Sequence, residues 1–568
     1  MESKREQLVW PVPPERRPSR GTARPPAVES PVLLPPDILL RYGARLLDPG
    51  HALQPGSDRR ARDNRDRNPD DPGRPIAYGT TAYVADEILA SAVDQPAADL
   101  RQVADRLTGI LDRKIGRLRS ATRIVANAGD LDRARDRSRT ESPAVVRLSL
   151  ESKDAEPGPA PDAWEIVQIL RDDPETRIEI GLNHLMFAAQ AGGQGFSFGH
   201  GFSFGHGFSF GHGAGPGEYA VPGLGGRTPV QWVGSPPARG EMARRPVVAI
   251  LDTGVADHPW FRFGEPEAVV TRWRYERSDG SIRRDETEGG ETEPDIIDPL
   301  QGLIDPFFGH GTFIAGLIHQ TCPDANIVSI KMMGTDGIVD EAALLNGLGY
   351  LHQRQVDARA AGDAGVADLI DIVSLSLGYY HESDLAGIAY DKRLKQALDA
   401  LSELGILVVA AAGNNATSRP LLPAGFTTYH NGGLQATSPP VPMLSVGALN
   451  PDRSVALFSN DGDWISCHAP GAAVVSTMPT VDVGLRASVD LGTGPLDQRA
   501  VASWRASIDP DRFTGFATWS GTSFAAPVTA GSAAQALIDQ GGLDDPAVDP
   551  PTRTRNMLAR LGFTISSA

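Results

Sequence analysis

Val247-Val-Ala-Ile-Leu-Asp252-Thr-Gly254 is an apolar run of strand length that stops on a carboxylate and a glycine turn. It is apolar at consecutive positions, as a strand buried between two helix layers is. Similar runs occur at 327–333, 370–377, 406–412 and 443–448. Helical patterns lie between and after them, at 311–319, 341–353, 394–404 and 523–539. Alternating strands and helices predict an α/β fold over 246–568, a parallel sheet with helices on both faces. In such sheets the working residues gather at the carboxyl ends of the strands, which is where Asp252 falls.

The rest of the composition bounds the function. With 568 residues the core is not limited by size, and two cysteines cannot form a disulfide framework. No stretch approaches the ~18 apolar residues of a membrane span. The first residues are charged and run into prolines, so no secretory signal is visible, and a cytoplasmic protein away from membranes is expected. A formal charge of −17 argues against a nucleic-acid partner. That charge is uneven. Residues 1–150 carry 26 Lys and Arg against 21 Asp and Glu, a net of +5, and the remainder carries −22. A basic leading part and an acidic body either attract each other or are two unrelated solvated surfaces.

Residues 1–74 read as a Pro- and Arg-rich, partly disordered leader, with a short helix at 38–47. Residues 75–190 read as a smaller α+β module of β-α-β-α-β type: strands at 82–92, 144–150 and 177–185, helices at 96–118 and 162–171. Residues 191–245 read as a Gly-rich tether containing Gly-Phe-Ser-Phe-Gly-His three times, starting at Gly195, Gly201 and Gly207. Its His200, His206 and His212 lack carboxylate or cysteine partners, so no metal or other cofactor is assigned.

Two more segments join Asp252-Thr-Gly254. Phe308-Gly-His310-Gly-Thr312 opens a helix, and Gly521-Thr-Ser523-Phe-Ala-Ala-Pro527 opens another, with Pro527 in the opening turns where its missing N–H does little harm. Asp, His and Ser in that order, each at its strand or helix boundary, make the region 246–541 resemble the subtilisin-like serine peptidases, the subtilases. The chemistry needs these types. A serine hydroxyl requires a base within reach, and an imidazole titrates in the right range. The imidazole requires a carboxylate to hold its tautomer and to stabilise the imidazolium. Ser523 is then the nucleophile, His310 the general base and acid, and Asp252 the orienting carboxylate.

The resemblance implies more. Asn414, after Ala411-Ala-Gly413, matches the residue whose amide stabilises the oxyanion. Ser376-Leu377-Gly378 matches the strand edge that pairs with an extended peptide. Gly378 leaves room for the P1 side chain, and Gly413 lines the other wall. Tyr379 stands where the family often has a second glycine, and its bulk is expected to narrow or reshape the P1 pocket. Polar insertions at 274–293 and 481–513 either cover the cleft, restrict substrates or bind a partner, or are solvated loops. Cys322 and Cys467 read as free thiols, and His258, His319 and His468 as structural or surface residues. The module is compatible with a prodomain removed by self-cleavage within 190–245, or with a permanent module through which a regulatory partner gates the enzyme. The implied activity is a serine endopeptidase acting on protein or peptide substrates. The alternatives are a non-catalytic partner-binding protein on the same scaffold, and a transpeptidase or ligase using the same acyl-enzyme.

Overall fold

The computed structural model describes residues 7–12, 36–47, 67–75, 80–91, 100–127, 145–188, 227–298, 303–382, 392–436, 440–481 and 513–567, with small gaps. The GFSFGH repeats, and nearly all of the 481–513 insertion, lie outside the described residues.

The body is built on a nine-stranded sheet. Its spatial order is Trp10–Pro11, Cys467–Pro470, Leu444–Leu449, Leu407–Ala411, Ile372–Leu375, Val247–Asp252, Asn326–Lys331, Val270–Tyr275 and Ile282–Arg284. All neighbours are parallel except at the two edges, where Trp10–Pro11 and Ile282–Arg284 run antiparallel. Side chains of the central strand alternate between two cores. Val248 and Ile250 point into the core that holds the helices His310–Thr321 and Thr522–Gln540. Val247, Ala249 and Leu251 point into the core that holds Glu341–Ala360 and Arg393–Glu403. The apolar run at 247–251 is thus required by two helix layers.

The strand order places Val247–Asp252 at a reversal. The next three strands of the sheet in sequence lie on one side of it and the later ones on the other. A crevice opens at the carboxyl end of a strand at such a switch point, and Asp252 is the last residue of this one.

The N-terminal module is an antiparallel sheet with Ile180–Ala188, Thr81–Ser91, Val145–Ser152 and Thr122–Ala126 side by side, and Ala44–Leu47 paired to Thr81–Ser91. Helices Leu100–Arg113 and Ala163–Arg171 bury their apolar sides against it. Asp162 caps the second of these, accepting the Trp164 N–H. The sequence reading differs in detail. The stretch 38–47 is a short helix, Pro36–Arg41, followed by a strand, because Gly43 turns the chain at a φ of 57°. Strand Thr122–Ala126 carries Arg123 and alternates weakly, so the pattern missed it. The leader reaches the body through the Trp10–Pro11 strand. Residues 227–245 lie on the body too: Arg227 donates to the carbonyls of Asp305, Pro306 and Phe308, and Thr228–Pro229 pairs with Ala517–Thr518.

Helix His310–Thr321 and strand Val474–Thr480 meet at Gly316. A Cβ there would sit 2.2 Å from Thr477 Oγ1 and 2.3 Å from Ser476 Oγ. Those hydroxyls donate to the carbonyls of Thr312 and Phe313, so they cannot move away cheaply. Gly316→Ala is expected to destabilise the body by about 1–3 kcal/mol. An unchanged midpoint in urea unfolding would contradict this.

Candidate active site

Asp252 ends its strand with the carboxylate buried, and Thr253 N–H donates to its Oδ1 at 2.8 Å. The same Oδ1 lies 2.7 Å from Nδ1 of His310, at the first position of the next helix. The imidazole is fully buried, with Phe307, Trp519 and Phe524 around it at ring separations of 5.5–5.7 Å. Its Nε2 is buried and has no hydrogen-bond partner among the described residues. This is the arrangement that makes a neutral imidazole a base: one nitrogen held by a carboxylate, the other open to take a proton.

Ser523 is the second residue of helix Thr522–Gln540, which packs against the helix carrying His310. Its hydroxyl donates to the carbonyl of Ser376 at 3.3 Å and makes no hydrogen bond to His310. The serine carbonyl accepts from Ser376 Oγ at 2.8 Å. That bond accounts for Pro527, the sixth residue of the helix. Proline there withdraws the N–H that would otherwise reach Ser523, and the Ser376 hydroxyl takes its place. The missing N–H is therefore not idle, as its position in the opening turns suggests, but ties Ser376 to Ser523.

Strand Leu407–Ala411 delivers Gly413 and Asn414 to the start of the same helix. Gly413 has a φ of 99°, and a Cβ there would meet Asn460 Nδ2 at 2.5 Å. Its N–H donates to Thr522 Oγ1. Asn414 Oδ1 accepts Thr522 N–H at 2.8 Å, which fixes the amide's orientation beside Gly521. Behind this loop stands Asn460, which the sequence reading missed. It donates to Ala412 O and Tyr380 Oη and accepts from the N–H groups of Asn415 and Thr417. No motif marks it, since its role depends on a turn from a distant part of the chain.

Leu377–Gly378 is an edge in use. It pairs antiparallel with Phe187 and Ala188, the end of the module's last strand. Ile338–Asp340 pairs with the same strand from the other side, and Ala188 N–H donates to Gly337 O at 2.8 Å. The strand Ile180–Ala188 is thus clamped between two body segments. A Cβ on Gly378 would lie 2.6 Å from Leu421 Cγ and from Leu422 O, so neighbours on the body side also require this glycine. The Tyr379 ring stacks on the module's His184 at 4.4 Å.

His184 is the module's buried charge. Both ring nitrogens donate to carboxylates, Nδ1 to Glu341 at 2.6 Å and Nε2 to Glu382 at 2.7 Å. Burial alone would keep the imidazole neutral, but the Glu382 charge and the two hydrogen bonds outweigh it and lift its pKa to about 10. Burial likewise pushes the Glu382 carboxyl up, while His381, His184 and Arg171 hold it well below the usual carboxylate range. His184, His381 and Glu382 are residue types that bind metals. Ligands on one zinc ion, however, would stand about 3.4 Å apart, and the 2.7 Å contact is that of a donor on its acceptor. Nearby, Asn183 Oδ1 accepts Ala342 N–H, Arg41 pairs with Asp336 and Arg171 with Glu382. Positive groups of the leading part thus meet buried carboxylates of the body.

Residues 243–548, just over half of the chain, match the family model described as the subtilase family, Peptidase_S8. The chain belongs to that family, and its fold is the subtilisin-like α/β sheet described above. It is 29% identical over 179 residues to minor extracellular protease Epr of Bacillus subtilis, covering 30% of this chain and 22% of that protein. It is 26% identical over 181 residues to subtilisin DY of Bacillus licheniformis, covering 30% of this chain and 54% of that one. Among solved structures it is similar to fervidolysin from Fervidobacterium pennivorans, a keratinolytic enzyme related to subtilisin, with 18% identity and a TM-score of 0.43 over 82% of this chain and 56% of that one. The matches thus span about a fifth to about half of the length of these relatives.

The His184 ion pairs make docking of the module depend on pH. The folded-state pKa is raised, so their stabilisation is fully present below the ordinary histidine value near 6.5 and is lost as pH rises through about 10. His184→Gln is expected to lower the thermal midpoint of the full chain at pH 6.5 and to lower it progressively less toward pH 10. A deficit that stays constant with pH would refute the ion-pair account.

Proposed function

We propose that this chain is a serine endopeptidase in which Asp252, His310 and Ser523 form the catalytic triad. The observation that carries the reading is the buried His310 imidazole, bonded to Asp252 through Nδ1 and unpartnered at Nε2, on the helix packed beside the one that carries Ser523 in its first turn. In this reading rotation about Cα–Cβ moves the Ser523 hydroxyl from the Ser376 carbonyl to His310 Nε2. As Oγ attacks the carbonyl carbon of a peptide, its proton passes to Nε2, and the imidazolium is held by Asp252. The oxyanion accepts hydrogen bonds from the Asn414 amide and from the Ser523 N–H at the positive end of its helix. The proton then passes to the leaving amine, the C–N bond breaks, and water releases the acyl group from Ser523 by the reverse sequence.

Ser376, Leu377, Gly378 and Gly413 would bind an extended substrate by main-chain hydrogen bonds. The module's strand occupies that edge, which supports a gated enzyme: a substrate strand and the Phe187–Ala188 strand cannot pair with Leu377–Gly378 together. The module is then either removed by cleavage in the following tether or displaced by a regulatory partner. Among the described residues no helix is long and apolar enough to cross a membrane. The two buried cysteines, neither in a disulfide, suit a cytoplasmic setting.

A fluorophosphonate probe is expected to modify wild-type protein at Ser523, and Ser523→Ala to lower peptide hydrolysis by about 10⁴-fold or more. Intact masses of the two proteins separate the gating modes. A shorter wild-type chain with an uncut Ser523→Ala chain means self-removal, and identical masses mean a retained module. Absence of labelling in a preparation freed of the module would overturn the peptidase reading.

A further inference from the structure

The polar 274–293 stretch ends by bringing a buried carboxylate, Glu291, to the start of the helix that carries His310. That helix needs help at its first turn. Its N-cap is Gly309, at a φ of 87°, which has no side chain to meet the unpaired N–H groups. Glu291 supplies the missing acceptor from 18 residues upstream: Gly309 N–H donates to Oε1 at 2.9 Å, and Thr312 Oγ1 donates to Oε2 at 2.7 Å. The Thr312 hydroxyl itself accepts Ala256 N–H at 2.9 Å, so its single proton is directed at Glu291. One residue along, Gly311 N–H donates to Thr253 Oγ1, next to Asp252. The carboxylate, the helix start and the Asp-Thr-Gly turn therefore form one connected network.

The backbone is shaped to allow this. A Cβ on Gly254 would lie 2.8 Å from Gly289 O, and one on Gly290 would lie 3.1 Å from Val255 O. The end of the insertion thus sits directly on the turn that follows Asp252. Lys331, which ends the neighbouring strand in register with Asp252, donates to Gly290 O at 2.9 Å and adds a positive charge near the carboxylate. Burial pushes the Glu291 carboxyl up, while the hydrogen bonds from Thr253, Thr312 and Gly309 oppose it. Both of its oxygens accept, an arrangement that an ionised carboxylate satisfies and an amide does not.

We infer that Glu291 is a positioning residue for His310: it anchors the first turn of the helix to the Asp-Thr-Gly turn and so keeps the Nδ1–Asp252 bond in register while the imidazole gains and loses its proton. This rests on the reading of His310 as general base. A role in positioning differs from one in folding alone, and the test is chosen to separate them.

The first measurement does not depend on turnover. In the full chain carrying Ser523→Ala, the His310 Nδ1 proton bonded to Asp252 gives a downfield NMR line, assigned by its absence from His310→Ala. Glu291→Gln is expected to make that proton exchange with water about tenfold faster or more, as loss of a hydrogen bond to a charged acceptor does. Thr312→Val, which keeps the carboxylate and removes one of its donors, should speed the exchange by less, and it carries the test if Glu291→Gln does not fold. In the active chain, with active sites counted by fluorophosphonate titration, Glu291→Gln should lower kcat per site about tenfold while KM stays within about twofold. A purely structural role would instead lower the number of titratable sites and leave kcat per site unchanged. Unchanged exchange of that proton overturns the inference, whether or not the wild type cleaves peptides. Faster exchange in the Ser523→Ala chain, together with a wild type that never labels at Ser523, upholds the positioning and removes the peptidase reading instead.

Discussion

A 2.7 Å bond between His310 Nδ1 and Asp252 Oδ1 joins two elements that have little else in common: the end of the central strand and the first turn of a helix 58 residues later. Both groups are buried, so each would be costly alone. Much of the surrounding structure serves this contact. The switch in strand order opens the crevice, Gly254 and Gly311 let the two turns touch, and Thr253 and Glu291 take up the N–H groups of the helix start. A Cβ on Gly311 would lie 2.2 Å from Gly254 O, which is why the His is followed by glycine.

The same economy joins Ser523 to the Leu377–Gly378 edge. Pro527 removes a helical N–H, the freed Ser523 carbonyl takes the Ser376 hydroxyl, and the Ser523 hydroxyl rests on the Ser376 carbonyl. The edge on which an extended chain pairs is therefore bonded directly to the residue proposed to attack it. The module uses that edge through main-chain pairing and backs it with His184 between Glu341 and Glu382. Main-chain pairing demands little of sequence, whereas an imidazolium between two buried carboxylates demands a particular residue. The two together make an association that is both geometrically general and chemically selective.

Legibility in the sequence followed the range of the interactions. Five of the body's parallel strands and four main helices were readable because burial on both faces, or on one helical stripe, writes itself into consecutive residues; the parallel strands Val270–Tyr275 and Cys467–Pro470, buried only at some positions, were not. Asp252, His310, Ser523, Asn414 and the 376–378 edge were readable because each sits in a short motif. Glu291 and Asn460 were not, although both are buried next to the site. Glu291 lies in a polar stretch that reads as a solvated insertion, and nothing local shows that its carboxylate turns inward. His184 sits in a strand whose residues are all buried, between Asn183 and Leu185, and its partners are 157 and 198 positions away. Tyr379 was visible as bulk, but whether it faces the P1 pocket or the module depends on the register of a strand from another part of the chain.

By itself the sequence determined the α/β sheet, the smaller α+β module ahead of it, and the residue types gathered at the strand and helix ends. These follow from local periodicity and local turn chemistry, which act over a few residues. Only the tertiary structure decided that the module's last strand pairs with Leu377–Gly378, that His184 sits between Glu341 and Glu382, and that a carboxylate from the insertion anchors the His310 helix. Those outcomes depend on which desolvated groups find partners once distant segments are packed together, and no local pattern carries that information.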